Sequence, residues 1–368
     1  MVICLPFLPV GGRHSNSVRT SGIVRARHRR ECVASEIADA LPLDGDFGRS
    51  GRQTHHIVIV GNFSHNHRKW GLHSTDTHTV LLQDNLFALS AQEHSAYASD
   101  GSDNYVIRRN IFFGSNASGL QCNIDSVSSF HELLKHAALR GYRPEEPTRA
   151  WALGLIKLAT EKFGENNFPD GRGVNFIIED NVINGNGKAG GGSLNLAGLQ
   201  ESLIQNNLIY GNFNHGIAQW DDANPYDESY VNPGPASPQQ VKSADDLPLW
   251  GCHSNVIRNN TVLMNNKGRA AMQCRNGSWG TLMRNNVFIN DQPSSIEIFN
   301  TSIFRLDARF NLINTLSYTG MPEALKVLAR VLPEGANTTS GITLEKIAAE
   351  FVRLARNPGS LSKVIGGG

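Results

Sequence analysis

The decapeptides IIEDNVINGN (177–186) and LIQNNLIYGN (203–212) are near copies of one another, offset by 26 residues. In each, a fixed Asn follows a short aliphatic segment and precedes another. Apolar side chains alternating on both sides of a fixed polar residue indicate two short strands meeting at a corner. The pattern recurs outward in both directions, as VIVGNFSHN (58–66), LLQDNLFAL (81–89), VIRRNIFFG (106–114), VIRNNTVLMN (256–265), LMRNNVFIN (282–290) and a degenerate LDARFNLIN (306–314). The anchors are Asn62, Asn85, Asn110, Asn181, Asn207, Asn260, Asn286 and Asn311, spaced by 23, 25, 71, 26, 53, 26 and 25 residues. A fixed period of this size marks a repeat architecture, and the two long gaps are one repeat plus an insertion.

About ten residues after most anchors comes a further short segment, such as SAYAS (95–99), GLQCN (119–123), SLNLA (193–197), GIAQW (216–220) and SIEIF (295–299). Each repeat is therefore two or three strands of three to five residues, too short to hold a helix against a sheet. The expectation is an all-β fold, a single-stranded parallel β solenoid of about eight rungs in which equivalent strands stack about 4.8 Å apart. The residues three before the anchors (Ile59, Leu82, Ile107, Ile178, Ile204, Ile257, Met283) form its interior aliphatic stack. The anchors themselves are expected to take left-handed backbone angles and to stack as an amide ladder. A leucine-rich repeat shares the period but needs Leu at most framework positions and a helix per repeat.

The first insertion, 125–175, carries two helical patterns. Ser129 with Glu132 reads as a capping box for the first, and the second ends at Phe163 and Gly164. The second insertion, 223–251, is rich in Pro, Ser, Asn and Asp and reads as a long loop. Two amphipathic patterns at 322–332 and 343–355 are expected to cap the last rung as helices. The resulting organisation is a tail over 1–50, expected to be disordered, a solenoid over 51–320 and a helical cap over 321–368. The tail holds six Arg and no acid between residues 13 and 30. No convincing signal peptide precedes it, because Pro6 and Pro9 interrupt the only apolar run there.

Net charge is +1 over 368 residues, and leaving out those six Arg makes it −5. This gives no basic surface for nucleic acid, and no apolar run is long enough to span a bilayer. Cys122 and Cys274 fall on inward positions, while Cys4, Cys32 and Cys252 show no metal or redox spacing. His65 and His67 read as solvated turn residues, and His94 and His215 as structural residues at equivalent places before a strand.

The runs RKWGLHSTDTHTVLLQDN, QEHSAYASDGSDNYVIRRN, NFPDGRGVNFIIEDNVI and GLQESLIQNNLIYGNFNHGIAQW together resemble the right-handed parallel β-helix repeat proteins of the pectate-lyase-like superfamily, over residues 57–314. The resemblance implies an extracellular or periplasmic protein that binds a polysaccharide and cleaves it by β-elimination. It also implies a groove on the outer face of the strand following the corner Asn. Substrate contacts carried onto that face are Tyr97, Gln121, Asn123, Asn195, Trp220 and Gln273.

A uronate lyase must neutralise a sugar carboxylate and take the neighbouring proton. Arg275 and His73 are the candidates for clamp and base, with Asp221, Asp100 and Asp125 as ligands for Ca²⁺, the one cofactor the reading admits. A glycoside hydrolase would instead need two carboxyl groups about 5–9.5 Å apart, for which Asp221 or Asp222 with Glu297, two rungs away, are the candidates. The two adjacent Asp, 221 and 222, would face opposite ways on a strand, so one of them at most enters a groove. The other readings are a non-catalytic carbohydrate-binding or surface scaffold and an inactive fragment.

Overall fold

The computed structural model describes residues 22–25, 42–44, 47–142, 147–222, 224–230, 247–264, 269–275, 277–290, 294–299, 302 and 304–319. Among these, short strands form three parallel sheets of eight, eight and nine strands. Successive strands of one turn go to the three sheets in order, and each pairs with its equivalents one repeat away. Ile177–Glu179, for example, pairs with Asp103–Arg108 on one side and Leu203–Gln205 on the other. The chain is thus the all-β parallel β-helix expected from the repeats.

The interior stack is as read from the sequence, with Ile59, Leu82, Ile107, Ile178, Ile204, Ile257 and Met283 all buried in one continuous core. Cys122, Cys252 and Cys274 are buried free thiols in the same core.

The corner works differently from the expectation. The left-handed residue is the one before each anchor: Gly61, Asp84, Arg109, Asp180, Asn206, Asn259, Asn285 and Phe310, with φ from 53° to 71°. The anchor is thereby free to aim its amide along the solenoid axis. Asn181 Nδ2 donates to Asn207 Oδ1 at 3.0 Å, and Asn207 Nδ2 to Asn260 Oδ1 at 2.9 Å. The ladder runs from Asn62 through Asn85, Asn110, Asn181, Asn207, Asn260 and Asn286 to Asn311. Each backbone N–H of the series also donates to the next Oδ1, so one buried oxygen accepts twice. A buried polar side chain is affordable only when satisfied in this way. A shorter ladder, Ser115 to Asn186 to Asn212, stands at the next corner. Its sequence signal was the final Asn of the NGN and YGN endings.

Of the segment read as a disordered tail, Gly22–Arg25 pairs with the first sheet, Pro42–Asp44 with the third, and Phe47–Ser50 is a short helix, α1. The patterns at 322–332 and 343–355 lie outside the described residues. The helical insertion gives α2 (Ser126–Lys135) and α3 (Arg149–Phe163), the latter ending at Gly164 as read. The cap of α2 is Asp125, four residues earlier than the Ser129 expected from the capping box with Glu132. Glu132 instead accepts from Gly48 N and Lys135 Nζ.

The two insertions pack on each other. Phe130, Leu155, Tyr226 and Trp250 belong to a second core beside the solenoid, together with Phe47. Asp227 locks them. Its carboxylate accepts from Arg149 Nη2 at 2.6 Å, Leu249 N at 2.9 Å and Trp250 N at 2.8 Å.

Candidate functional site

The outer face of the third sheet is built by register. Its main outward column is His73, Tyr97, Gln121, Asn195, Ala218, Gln273 and Glu297. A parallel column holds Thr75, Ser99, Asn123, Ala197 and Trp220, continued by Arg275 and Phe299. Polar side chains link adjacent rungs across the middle of this face. Trp220 Nε1 donates to Asn195 Oδ1 at 2.8 Å, Asn195 Nδ2 to Gln121 Oε1 at 2.7 Å, and Ser118 Oγ to the same oxygen at 3.0 Å.

Toward the N-terminal rungs the face becomes aromatic. Trp70 stacks on His73 with ring centroids 4.4 Å apart, and Tyr97 lies 5.0 Å from His73 and 5.2 Å from His94. His94 Nδ1 accepts from Ser118 N at 3.0 Å, and burial followed by the field of His73 holds its ring neutral, down to about 4. Trp70 and His94 were not among the expected substrate contacts. The signal for them was positional, since both stand just before the strand start, on the side of the bend that faces outward.

Asp100, Asp222 and Asp125, from three chain segments, all act electrostatically on Tyr97. Burial, then Asp100, with Asp222 and Asp125 adding less, push its phenol well above the usual range. Asp100 is itself raised to about 7, first by burial and then by Asp125, with Ser99 opposing through a hydrogen bond. Asp222 is raised by burial and by Asp125, while a hydrogen bond from the Asn123 amide pulls it down. One rung earlier, Asp76 rises to about 8 by burial and the field of Asp100, although its Oδ1 accepts from Gly101 N at 2.9 Å. Displaced carboxyl groups of this kind are candidates for acid–base chemistry where they face substrate and structural acids where they are buried, as Asp76 is.

The basic end lies elsewhere. Arg275 sits 5.5 Å over the Phe299 ring, and burial and the charge of Arg269 both lower its pKa while Glu297 opposes them. Glu297 is engaged on both oxygens, accepting from Gln273 Nε2 at 2.7 Å and Thr319 Oγ1 at 3.2 Å. His215 is buried and neutral, down to about 3, by burial and the fields of Arg269 and Arg275.

This geometry corrects the sequence reading at three places. Five strand steps separate His73 from Gln273 on the face, about 24 Å at 4.8 Å per rung, so His73 and Arg275 cannot act as base and clamp at one bond. Asp222 follows the strand His215–Trp220, two steps or about 10 Å from that of Glu297, and its hydrogen bond to Asn123 draws it toward the other end of the face, away from Glu297. The Ca²⁺ set also fails to assemble. Among the described residues no group of three or more His, Cys, Asp or Glu is placed to hold a metal. Asp125 is committed to the α2 terminus, with Oδ1 accepting from Val127 N at 2.8 Å and Oδ2 from Ser128 Oγ at 2.8 Å. Asp221 turns away from the face, where burial, Asp227 and Asp222 raise its pKa well above the usual range. His67, read as a solvated turn residue, is buried with Nε2 2.7 Å from Ser64 Oγ.

No family model and no curated protein matches the chain. Among solved structures it is similar to the A-module of mannuronan C-5 epimerase AlgE4 from Azotobacter vinelandii, at 12% identity and a TM-score of 0.30, over 64% of this chain and 54% of that one. The AlgE6 A-module of the same organism gives 13% identity and a TM-score of 0.27, over 74% and 60% of the two chains. The chain thus spans little more than half the length of these structures, and its β-helix is read from its own strand register.

Proposed function

We propose that the protein binds an extended polysaccharide along the outer face of the third sheet and hydrolyses it beside Tyr97. The observation that carries this reading is the convergence of Asp100, Asp222 and Asp125 on Tyr97, with Asp100 raised to about 7. Acid–base cleavage of a glycosidic bond requires one carboxyl group to give a proton and a second to take one. Asp100, as the acid, gives its proton to the leaving oxygen. Asp222, raised by burial with the Asn123 hydrogen bond opposing, is the group proposed to take the proton of the attacking water. Trp70, His73 and Tyr97 offer rings for sugar faces, and Trp220, Asn195 and Gln121 offer a polar track for hydroxyls.

The acidic side chains acting on Tyr97 favour a neutral glycan over a uronate, because each of them that is ionised repels a sugar carboxylate. The lyase reading is therefore the weaker one. A non-catalytic scaffold is the second reading, favoured by the polar track, which binds without needing chemistry. A polymer of this kind is met outside the cytoplasm, so the proposal includes an extracellular or periplasmic location. Among the described residues no helix is long and apolar enough to cross a membrane.

The test is incubation with a panel of neutral and uronic polysaccharides, reading reducing ends and ultraviolet absorbance together. Hydrolysis gives new reducing ends without absorbance, and Asp100→Asn removes them. Absorbance from unsaturated ends would establish the lyase instead, and binding without either signal would establish the scaffold.

A further inference from the structure

Three strand steps along the third-sheet face from Tyr97, about 14 Å at 4.8 Å per step, lies a second polar cluster that the cleavage step does not use. Its floor is Ala218, the smallest side chain of the main outward column. His215 begins the same strand, in the place that His94 takes three rungs earlier, 5.2 Å from Tyr97. That place faces outward, since a Cβ on Gly192, the register partner of His215, would lie 3.4 Å from Asn195 Cβ and 3.5 Å from Ala218 Cβ. Gln273 stands beside Ala218 on the next strand, Met272–Cys274, and Arg269 and Arg275 lie on either side of that strand.

Arg269 Nη1 is 3.2 Å from His215 Nε2. A guanidinium can only donate, so Nε2 accepts and carries no proton. The ring is neutral, held down to about 3 by burial and by the two arginines, and its one proton therefore sits on Nδ1. That N–H, in a residue 4% exposed, is buried with no hydrogen-bond partner among the described residues. Gln273 is 2% exposed and its Oε1 is likewise unmatched there, while its amide nitrogen donates to Glu297. Burial and then the charge of Arg269 lower the pKa of Arg275, so the two cations are close enough to repel each other. Buried polar groups are normally satisfied, and an anion carrying a neighbouring hydroxyl would satisfy these while relieving the repulsion.

We propose that Arg269, Arg275 and the Nδ1–H of His215 hold a sulfate or phosphate ester on the glycan, with Gln273 Oε1 accepting from an adjacent sugar hydroxyl. The proposal takes from the preceding reading only that a glycan lies along this face. Three donors arriving from separate chain positions suit the oxygens of a tetrahedral anion, whereas a planar carboxylate is matched best by two parallel N–H groups of a single guanidinium. The substrate is then neutral at the bond that is cut and anionic about 14 Å away. At that distance the acids acting on Tyr97 are largely screened, the Debye length being about 8–10 Å.

Calorimetric titration of the full chain with sodium sulfate at constant ionic strength, with sodium chloride as the blank, should show one saturable site. Arg269→Gln and Arg275→Gln should each weaken it at least tenfold with the far-ultraviolet dichroism unchanged, Arg269 being exposed and Arg275 half-buried. Asp100→Asn, which removes hydrolysis, should bind sulfate as the wild type does. In affinity gels, dextran sulfate or dextran phosphate should retain the protein more than plain dextran, the stronger of the two naming the ester, and Arg269→Gln should abolish the difference. A sulfate titration that does not saturate, or that neither arginine substitution changes, overturns the proposal. Retention by a polyuronate equal to that by the esters overturns it in favour of a carboxylate. A chain that binds sulfate and cleaves no glycan refutes the hydrolysis at Tyr97 and leaves the anion site standing.

Discussion

Trp220 Nε1 donates to Asn195 Oδ1 at 2.8 Å, and this one bond couples the wall of the third-sheet face to its floor. Asn195 in turn holds Gln121, so the indole orients two further side chains across neighbouring rungs. Trp220→Ala should weaken glycan binding at least tenfold, and Trp220→Phe about threefold, since Phe keeps the ring and loses only the donor. Affinity electrophoresis or calorimetry against the substrate found in the polysaccharide panel measures both. Equal affinity for all three proteins would remove Trp220 from the binding face.

Asp100, raised to about 7, is a protonated acid on the low side of neutrality and a carboxylate above it. Cleavage that uses it as an acid therefore falls as pH rises through about 7. Asp100→Asn should cut the rate by a factor of 10² or more. A pH profile that keeps its shape in a residually active Asp100→Asn protein would assign the limb to another group.

Asp76 bears on stability and not on chemistry. An acid raised from its ordinary 3.8 to about 8 binds its proton more tightly folded than unfolded. The stability this contributes is complete below about 4 and lost as pH rises through about 8. Asp76→Asn keeps the oxygen that accepts from Gly101 and cannot ionise. The variant should match wild type near pH 4 and melt several degrees higher at pH 9. Parallel melting curves at the two pH values for both proteins would show that Asp76 titrates normally.

Asn207 is 1% exposed and its side chain joins four hydrogen bonds, donating to Asn260 and Ile178 and accepting twice from Asn181. Asn207→Ala strands the buried N–H groups of Asn181 and should cost about 3–4 kcal/mol. Denaturant titration reads this directly, and a loss under 1 kcal/mol would mean that water replaces the ladder.

Asp125 caps α2, its side chain accepting from Val127 N and Ser128 N. Asp125→Ala should cost about 1 kcal/mol, Asp125→Ser should recover most of it, and neither Ca²⁺ nor a chelator should move the melting temperature of any of the three. A calcium-dependent shift confined to wild type would restore the metal reading.

The repeat and its interior column were legible because strand alternation writes itself into sequence with period two, and stacking forces equivalent residues into register. The site was only half legible. Alternation placed Tyr97, Asn195 and Trp220 on one face, but it could not show that Asp222 reaches back to Asn123 while Glu297 stays with Gln273 and Thr319. That depends on the path of a loop whose anchor, Asp227 on Arg149, joins two insertions 78 residues apart. The corner conformation was misassigned by one residue for a related reason. Asn suits both a left-handed angle and an amide stack, and only the geometry separates the residue at 206 from the one at 207.

The amide ladder has a direction, since every anchor donates to the one after it and accepts from the one before. A complete turn of about 25 residues consumes one acceptor and presents an identical one. Duplicating or deleting a whole turn therefore leaves the hydrogen-bond balance of the corner unchanged, whereas adding a fraction of a turn breaks it. Length in this molecule is a heritable variable that can drift in unit steps, which would lengthen or shorten the ligand track by about 4.8 Å at a time without redesign of the ends.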